Sequence, residues 1–130
     1  MKRLLLILAS VVCCSQELLA ESDTQYVRLT KAMVINYGEP SLSRLKYMKV
    51  AVDVRVPTAS AADLVEYHIP ALLDALVTVF SDLEAELVMS ANGKEEIRQL
   101  ALAQLQRVMK SEEGDQVIED LLFSSFVVQR

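Results

Sequence analysis

The sequence predicts an α+β domain in which two to three helices pack on an antiparallel or mixed sheet. Residues 45–56 alternate apolar and polar with period two, the pattern of a strand with one buried face. Residues 69–80 and 97–109 repeat apolar side chains at spacings of three and four, the pattern of a helix with one buried stripe. The order is two strands, then helices, then a closing strand, which suits helices collected on a sheet.

The first twenty residues stand apart from this domain. Lys2 and Arg3 form a positive head, Leu4 to Val12 is an apolar run broken by Ser10, and Leu18-Leu19-Ala20 follows a polar stretch. That is the layout of a secretory signal, with cleavage after Ala20 leaving Glu21 as the new N-terminus. Leu18 is larger than the small residue usual three places before a cut. A spanning helix needs roughly 20 consecutive apolar residues, and Gln16 and Glu17 interrupt well before that. The division is therefore residues 1–20 as signal and 21–130 as the exported domain. A retained inner-membrane anchor and a lipoprotein joined at Cys13 or Cys14 are the alternatives. Against the latter, neither cysteine follows a small residue.

Cys13 and Cys14 are the two cysteines of the chain. With the signal removed no disulfide, thiolate nucleophile or cysteine metal site is available. The domain must be held by its core, and its length suits one core. Removing Lys2, Arg3 and Glu17 leaves 11 basic and 17 acidic residues, a net charge of −6. No basic stripe for nucleic acid is present. The cluster Arg44, Lys46 and Lys49 reads as a solvated strand face.

Tyr26 to Asn36 reads as the first strand, with Lys31-Ala32 as an irregularity. Residues 36–41 form a turn through Asn36, Gly38 and Pro40. Leu45 to Val56 is the second strand. Met48, Val50, Val52, Val54 and Val56 fall on one face; Tyr47, Lys49, Ala51, Asp53 and Arg55 fall on the other. The two strands pair as a hairpin, and Pro57 ends the second.

Thr58 to Ser60 can cap a short helix over Ala61 to Tyr67, with Asp63 favouring its first turn. Pro70 opens the next helix or kinks a continuous one. That helix buries Ile69, Leu72, Leu73, Leu76, Val77 and Phe80. Residues 81–89 are open between helix and strand. Asn92 caps a second long helix, with Glu95 and Glu96 near its positive end. Ile97, Leu100, Ala101, Leu105, Val108 and Met109 form its buried face, and residues 112–115 end it. Val117 to Gln129 is the closing strand. Leu121, Phe123 and Val127 fall on one face and Leu122, Phe126 and Val128 on the other, the pattern of a central strand or of one whose second face meets a partner.

No catalytic constellation emerges. His68 is the single histidine, has no paired group at a recognisable spacing, and reads as a helix-start or interface residue. Asp63, Glu66 and His68 match no metal motif. The pairs Glu95-Glu96, Glu112-Glu113 and Glu119-Asp120 read as solvated helix ends and loops. The glycines are isolated, so no phosphate loop exists, and no Gly-flanked serine elbow is present. No catalytic residue, cofactor or metal is expected.

Five segments in order carry a resemblance: YVRLTKAMVINYG (26–38), RLKYMKVAVDVRV (44–56), HIPALLDALVTVFSDL (68–83), NGKEEIRQLALAQLQRVM (92–109) and VIEDLLFSSFVVQ (117–129). Together they resemble the periplasmic domain of the flagellar basal-body-associated FliL family over Tyr26 to Gln129. The resemblance implies a stomatin-like (SPFH-like) fold that tends to form rings. It also implies a non-enzymatic role beside the stator and basal body, in support of torque generation or swarming. Typical members keep a transmembrane anchor, whereas a cleavable signal here implies membrane association through partners alone. The expected localisation is the periplasm at the flagellar base, with weak homo-oligomerisation. A general periplasmic binding or chaperone-like module unrelated to motility is the alternative.

Overall fold

A computed structural model describes residues 24–39 and 44–129. The expected cut between Ala20 and Glu21 lies outside the described residues. Among those described, the chain forms three strands and four helices: β1 (Gln25–Asn36), β2 (Tyr47–Val56), α1 (Ala59–Tyr67), α2 (Ile69–Ser81), α3 (Ala85–Met89), α4 (Gly93–Glu113) and β3 (Asp120–Gln129). The sheet is antiparallel in the order β1-β2-β3. The α+β expectation holds, with an antiparallel sheet and with four helices where two to three were expected, because residues 85–89 add the short helix α3. The central strand is β2, not the closing strand, which lies at an edge.

The β2 alternation is realised in full. Met48, Val50, Val52, Val54 and Val56 are all completely buried. They meet α2 residues Leu72, Leu76 and Phe80 and α4 residues Ile97, Ala101, Leu105 and Met109 in one core. Each fully buried large apolar side chain is worth about 1.5–3 kcal/mol relative to exposure.

Both edge strands depart from strict alternation. In β1 the register with β2 shifts between Arg28 and Thr30 and again between Thr30 and Met33. Two extra residues restore the parity, so Val27, Leu29, Met33 and Ile35 all turn toward the helices. The irregularity falls beside Lys31-Ala32, where the sequence marked it. In β3 a single extra residue, Ser124, lies between Phe123, opposite Val52, and Ser125, opposite Ala51. One extra residue inverts the parity. Leu121, Phe123, Phe126 and Val128 therefore share the helix side, while Leu122 and Val127 share the open side. The expected two-faced division of this strand is corrected by that bulge.

The closing strand also starts later than Val117. Val117 stands at φ 59, a backbone region costly for a β-branched residue. The Ile118 N–H donates to the Gln116 carbonyl at 2.6 Å, closing a three-residue turn. Pairing with β2 begins after it.

Thr58 caps α1, its hydroxyl accepting from the Ala61 N–H at 3.1 Å. The helix starts at Ala59, so Asp63 falls in the second turn, not the first. Pro70 sits in the first turn of α2 rather than inside a continuous helix, and the two axes meet at 69°. Among the described residues no single helix is long and apolar enough to cross a membrane. Residues 85–89 settle as the short helix α3, and Gly93 then opens α4. A Cβ at Gly93 would stand 1.9 Å from the Leu87 carbonyl oxygen, so only glycine permits this approach. Asn92 is the cap residue through its backbone, without a side-chain bond. Gly114 ends α4 at φ 78, its N–H bonded to the Lys110 carbonyl at 2.9 Å.

Two residues assigned to buried helix faces lie at the margins of those faces. Val77 of α2 is exposed, and Leu100 of α4 is 49% exposed. Ala75 takes the buried place beside Leu76. Replacing Leu76 or Leu105 with Ala should cost about 2–5 kcal/mol in a urea titration, the range for emptied core sites. Leu100→Ala should cost well under about 1 kcal/mol, because no cavity forms at a half-exposed site.

Candidate interaction surface

The polar residues singled out in the sequence do not converge. His68 joins α1 to α2 with its side chain 11% exposed. Its Nε2 lies 2.6 Å from Glu113 Oε1 at the end of α4, and its ring meets Tyr67 edge-on at 5.0 Å. It therefore ties the helix junction to α4, a partner 45 positions away that no spacing rule could find. Asp63 and Glu66 show no metal cluster with it. Among the described residues no three His, Cys, Asp or Glu side chains are placed to hold a metal ion.

The acidic pairs are dispersed, and one member or both are engaged in ion pairs. Glu119 pairs with Arg55 at 3.3 Å, and Glu113 with His68. Arg98 binds Glu95 through both Nε (2.8 Å) and Nη2 (2.6 Å), binds Asp120 through Nη1, and donates to the Leu121 carbonyl at 3.2 Å. Arg98 thus ties the first turns of α4 to the start of β3, which the reading of these carboxylates as freely solvated did not foresee. Hydrogen bonds from Arg98 and then Gln99 hold the Glu95 carboxyl down at about 2, against 4.5 ordinarily, and the Arg98 guanidinium is pushed up by the same bond. Of the basic cluster, Lys49 alone lies in a strand; Arg44 and Lys46 precede it, and all three are exposed.

A hollow of about 670 Å³ runs between Gly38, Lys46 and residues 81–86. It is a shallow surface depression with Glu39, Asp82, Glu84 and Glu86 around one lysine.

The sheet's second face is a different kind of surface. The helices pack on the β2 valine side, and the opposite side carries Tyr26, Arg28 and Val34 of β1, Tyr47, Lys49, Asp53 and Arg55 of β2, and Leu122 and Val127 of β3. Val34 (62% exposed) and Val127 (52%) flank Lys49 from both sides. Ion pairs Arg28–Asp53 at 3.2 Å and Arg55–Glu119 cross the strands beside them. Exposed pairs of this kind contribute about 0–1 kcal/mol each. The face is a mixed apolar and charged plane, the composition of a contact surface rather than of a reaction site.

This arrangement has the element order, the central alternating strand and the glycine-opened helix noted in the sequence. The profile of the family described as flagellar basal body-associated protein FliL matches residues 26–129. The chain belongs to the FliL family. The matched region runs from the second residue of β1 to the last of β3, so it takes in every described element of the FliL domain except Gln25. Among curated proteins none matches the chain in sequence. Family membership marks the chain as a flagellar basal-body protein and gives its location as the flagellum.

Glu95, with its depressed pKa, makes a contribution to stability present above pH 4.5 and lost as pH falls toward 2. Urea midpoints of the FliL domain measured from pH 6 to pH 2 should therefore fall less steeply in Glu95→Gln than in the wild type. Equal slopes would show that the Glu95–Arg98 bond carries no stability.

Proposed function

We propose that this FliL-family chain is a non-enzymatic component of the flagellar motor that supports the stator through protein–protein contacts in the periplasm. The observation that carries this reading is the family match across residues 26–129. The mixed face of the sheet, on which no described helix packs, supports it, because a protein that works by contact needs surface rather than a pocket. Export by the N-terminal signal, with cleavage between Ala20 and Glu21, places the domain on the stator's periplasmic side. It leaves membrane association to its partners. The stomatin-like relationship and the tendency of such domains to form rings make self-association part of the same reading. The net charge of −6 left after cleavage opposes close packing of copies, so association is weak away from the motor.

Deleting the gene should impair swimming while leaving growth and envelope integrity unchanged; a general envelope defect with normal motility would support the periplasmic chaperone-like alternative. His68→Ala, produced at normal levels in the deletion strain, should restore swimming, since His68 ties α1–α2 to α4 and performs no chemistry. N-terminal sequencing of the periplasmic protein should begin at or near Glu21. An intact Met1 in the membrane fraction would reject cleavage, and a lipid on Cys13 or Cys14 would establish the lipoprotein form.

A further inference from the structure

We propose that β3 pairs along its free edge with β3 of a second copy, antiparallel and about a two-fold axis, to form a continuous six-stranded sheet. This deepens the self-association in the functional reading by naming a surface and a register for it.

Among the described residues the strand order leaves β3 with one neighbour, β2. An unpaired edge presents free N–H and C=O groups, and proteins ordinarily protect it with charges, proline or short length. Here the strand is ten residues long, and residues 121–129 hold no charge, no proline and no glycine. Ser124 supplies a bulge, a device that more often disrupts edge pairing. In this strand it has a second consequence.

Residues 121–128 read Leu-Leu-Phe-Ser-Ser-Phe-Val-Val. The series is the same in both directions by side-chain class: aliphatic, aliphatic, Phe, Ser, Ser, Phe, aliphatic, aliphatic. An antiparallel copy centred between Ser124 and Ser125 sets aliphatic against aliphatic, Phe123 against Phe126, and serine against serine. In a regular strand this symmetry would be useless. Mirror positions about such a centre differ by an odd number, and residues an odd number apart point to opposite faces. The Ser124 bulge removes the conflict. Phe123 and Phe126 both face the helix side, and Leu122 and Val127 both face the open side. With the two-fold axis normal to the sheet, the helix side of one copy continues the helix side of the other. Every mirror pair then meets on the same face, which an isologous contact requires.

The side chains have area left to bury. Phe123 and Phe126 are half-buried, with ring centroids 5.0 Å apart. Opposite a second copy they would form a four-ring cluster of cross-strand aromatic pairs. Leu122 and Val127, exposed in one copy, would cover each other across the new boundary. The nearest acidic residue within the strand, Asp120, is held by Arg98 and comes opposite the neutral Gln129. Within the two paired strands no like charges meet. Arg98 also occupies the Leu121 carbonyl, so pairing is confined to residues 122–127. So short a contact is weak, and being two-fold it closes at a dimer. A ring would need a second, head-to-tail surface.

The test is sedimentation of the full chain over a concentration series, with three proteins compared. The wild type should show a reversible monomer–dimer equilibrium, and β3 amides should gain hydrogen-exchange protection as concentration rises. Ser124→Asp with Ser125→Asp sets aspartates directly opposite each other at the axis, and should weaken the dimer about tenfold or more. Both serines are exposed, and an unchanged circular dichroism melt at low concentration confirms that each variant folds. Ser124→Asp with Ser125→Lys sets Asp opposite Lys in this register alone, and should return association to within about threefold of wild type. A double-Asp variant that dimerises like the wild type, or an Asp/Lys variant that fails to recover, overturns β3 pairing while leaving self-association to another surface. A wild type that stays monomeric throughout overturns self-association as well.

Discussion

One strand fixes where everything else in this domain can go. Among the described residues β2 is the only strand of the sheet with neighbours on both sides, and five of its alternate residues, Met48 to Val56, are buried without remainder. Among the described residues the helices cover that face alone. A strand with period two cannot slip by one residue without sending all five to solvent. Its register therefore dictates which residues of β1 and β3 must point to the helices, and the edge strands have to comply.

They comply by bulging. The apolar residues of β1 and β3 do not alternate cleanly in sequence, yet all the large ones on the core side reach it. β1 takes two extra residues and regains its starting parity; β3 takes one and changes it. The bulge at Ser124 is thus a packing solution first. Without it Phe126 and Val128 would turn outward, and Phe126 would lose its place beside Phe123 and the Lys94 ammonium 5.8 Å from its ring. Arg98 then secures the strand's start from above, through Asp120 and the Leu121 carbonyl.

The legible part of this architecture is the part governed by local periodicity. The β2 alternation, the stripes of α2 and α4, the cap within residues 58–60 and the stop within residues 112–115 all act within one element; the sequence placed each, and the structure narrows the last two to Thr58 and Gly114. The stripes' margins were not legible: a period of 3.6 gives the centre of a buried face, while Val77 and Leu100 depend on how far a neighbour extends. Nor was the Ser124 bulge, since parity within β3 is set by β2 rather than by β3. The turn at Val117 contradicts that residue's own preference for extended backbone. His68–Glu113 and Arg98–Asp120 join positions 45 and 22 apart, and no spacing within one element encodes them. Of the contact surface, the sequence signalled only that β3 carries more apolar residues than one small sheet needs. It placed Phe126, Val127 and Val128 on the wrong faces, and of its two readings of the strand the central one does not hold.

The two edges of the sheet are unequal, and the inequality bears on how such a protein works. Helices pack on both edge strands, α1 and α2 on β1 and α4 on β3. β1 also carries Arg28 and Lys31 along its length, and charge is an ordinary protection of an edge. β3 has no charged residue between Leu121 and Gln129, although the whole chain is 24% charged. Uncharged edges invite aggregation, so leaving one bare is costly unless something occupies it. A protein that acts by contact has to keep some surface adhesive, and selectivity then rests on what that surface rejects. In the pairing proposed above, the bulge disfavours a strand lacking a matching irregularity, and a second copy of the chain possesses one.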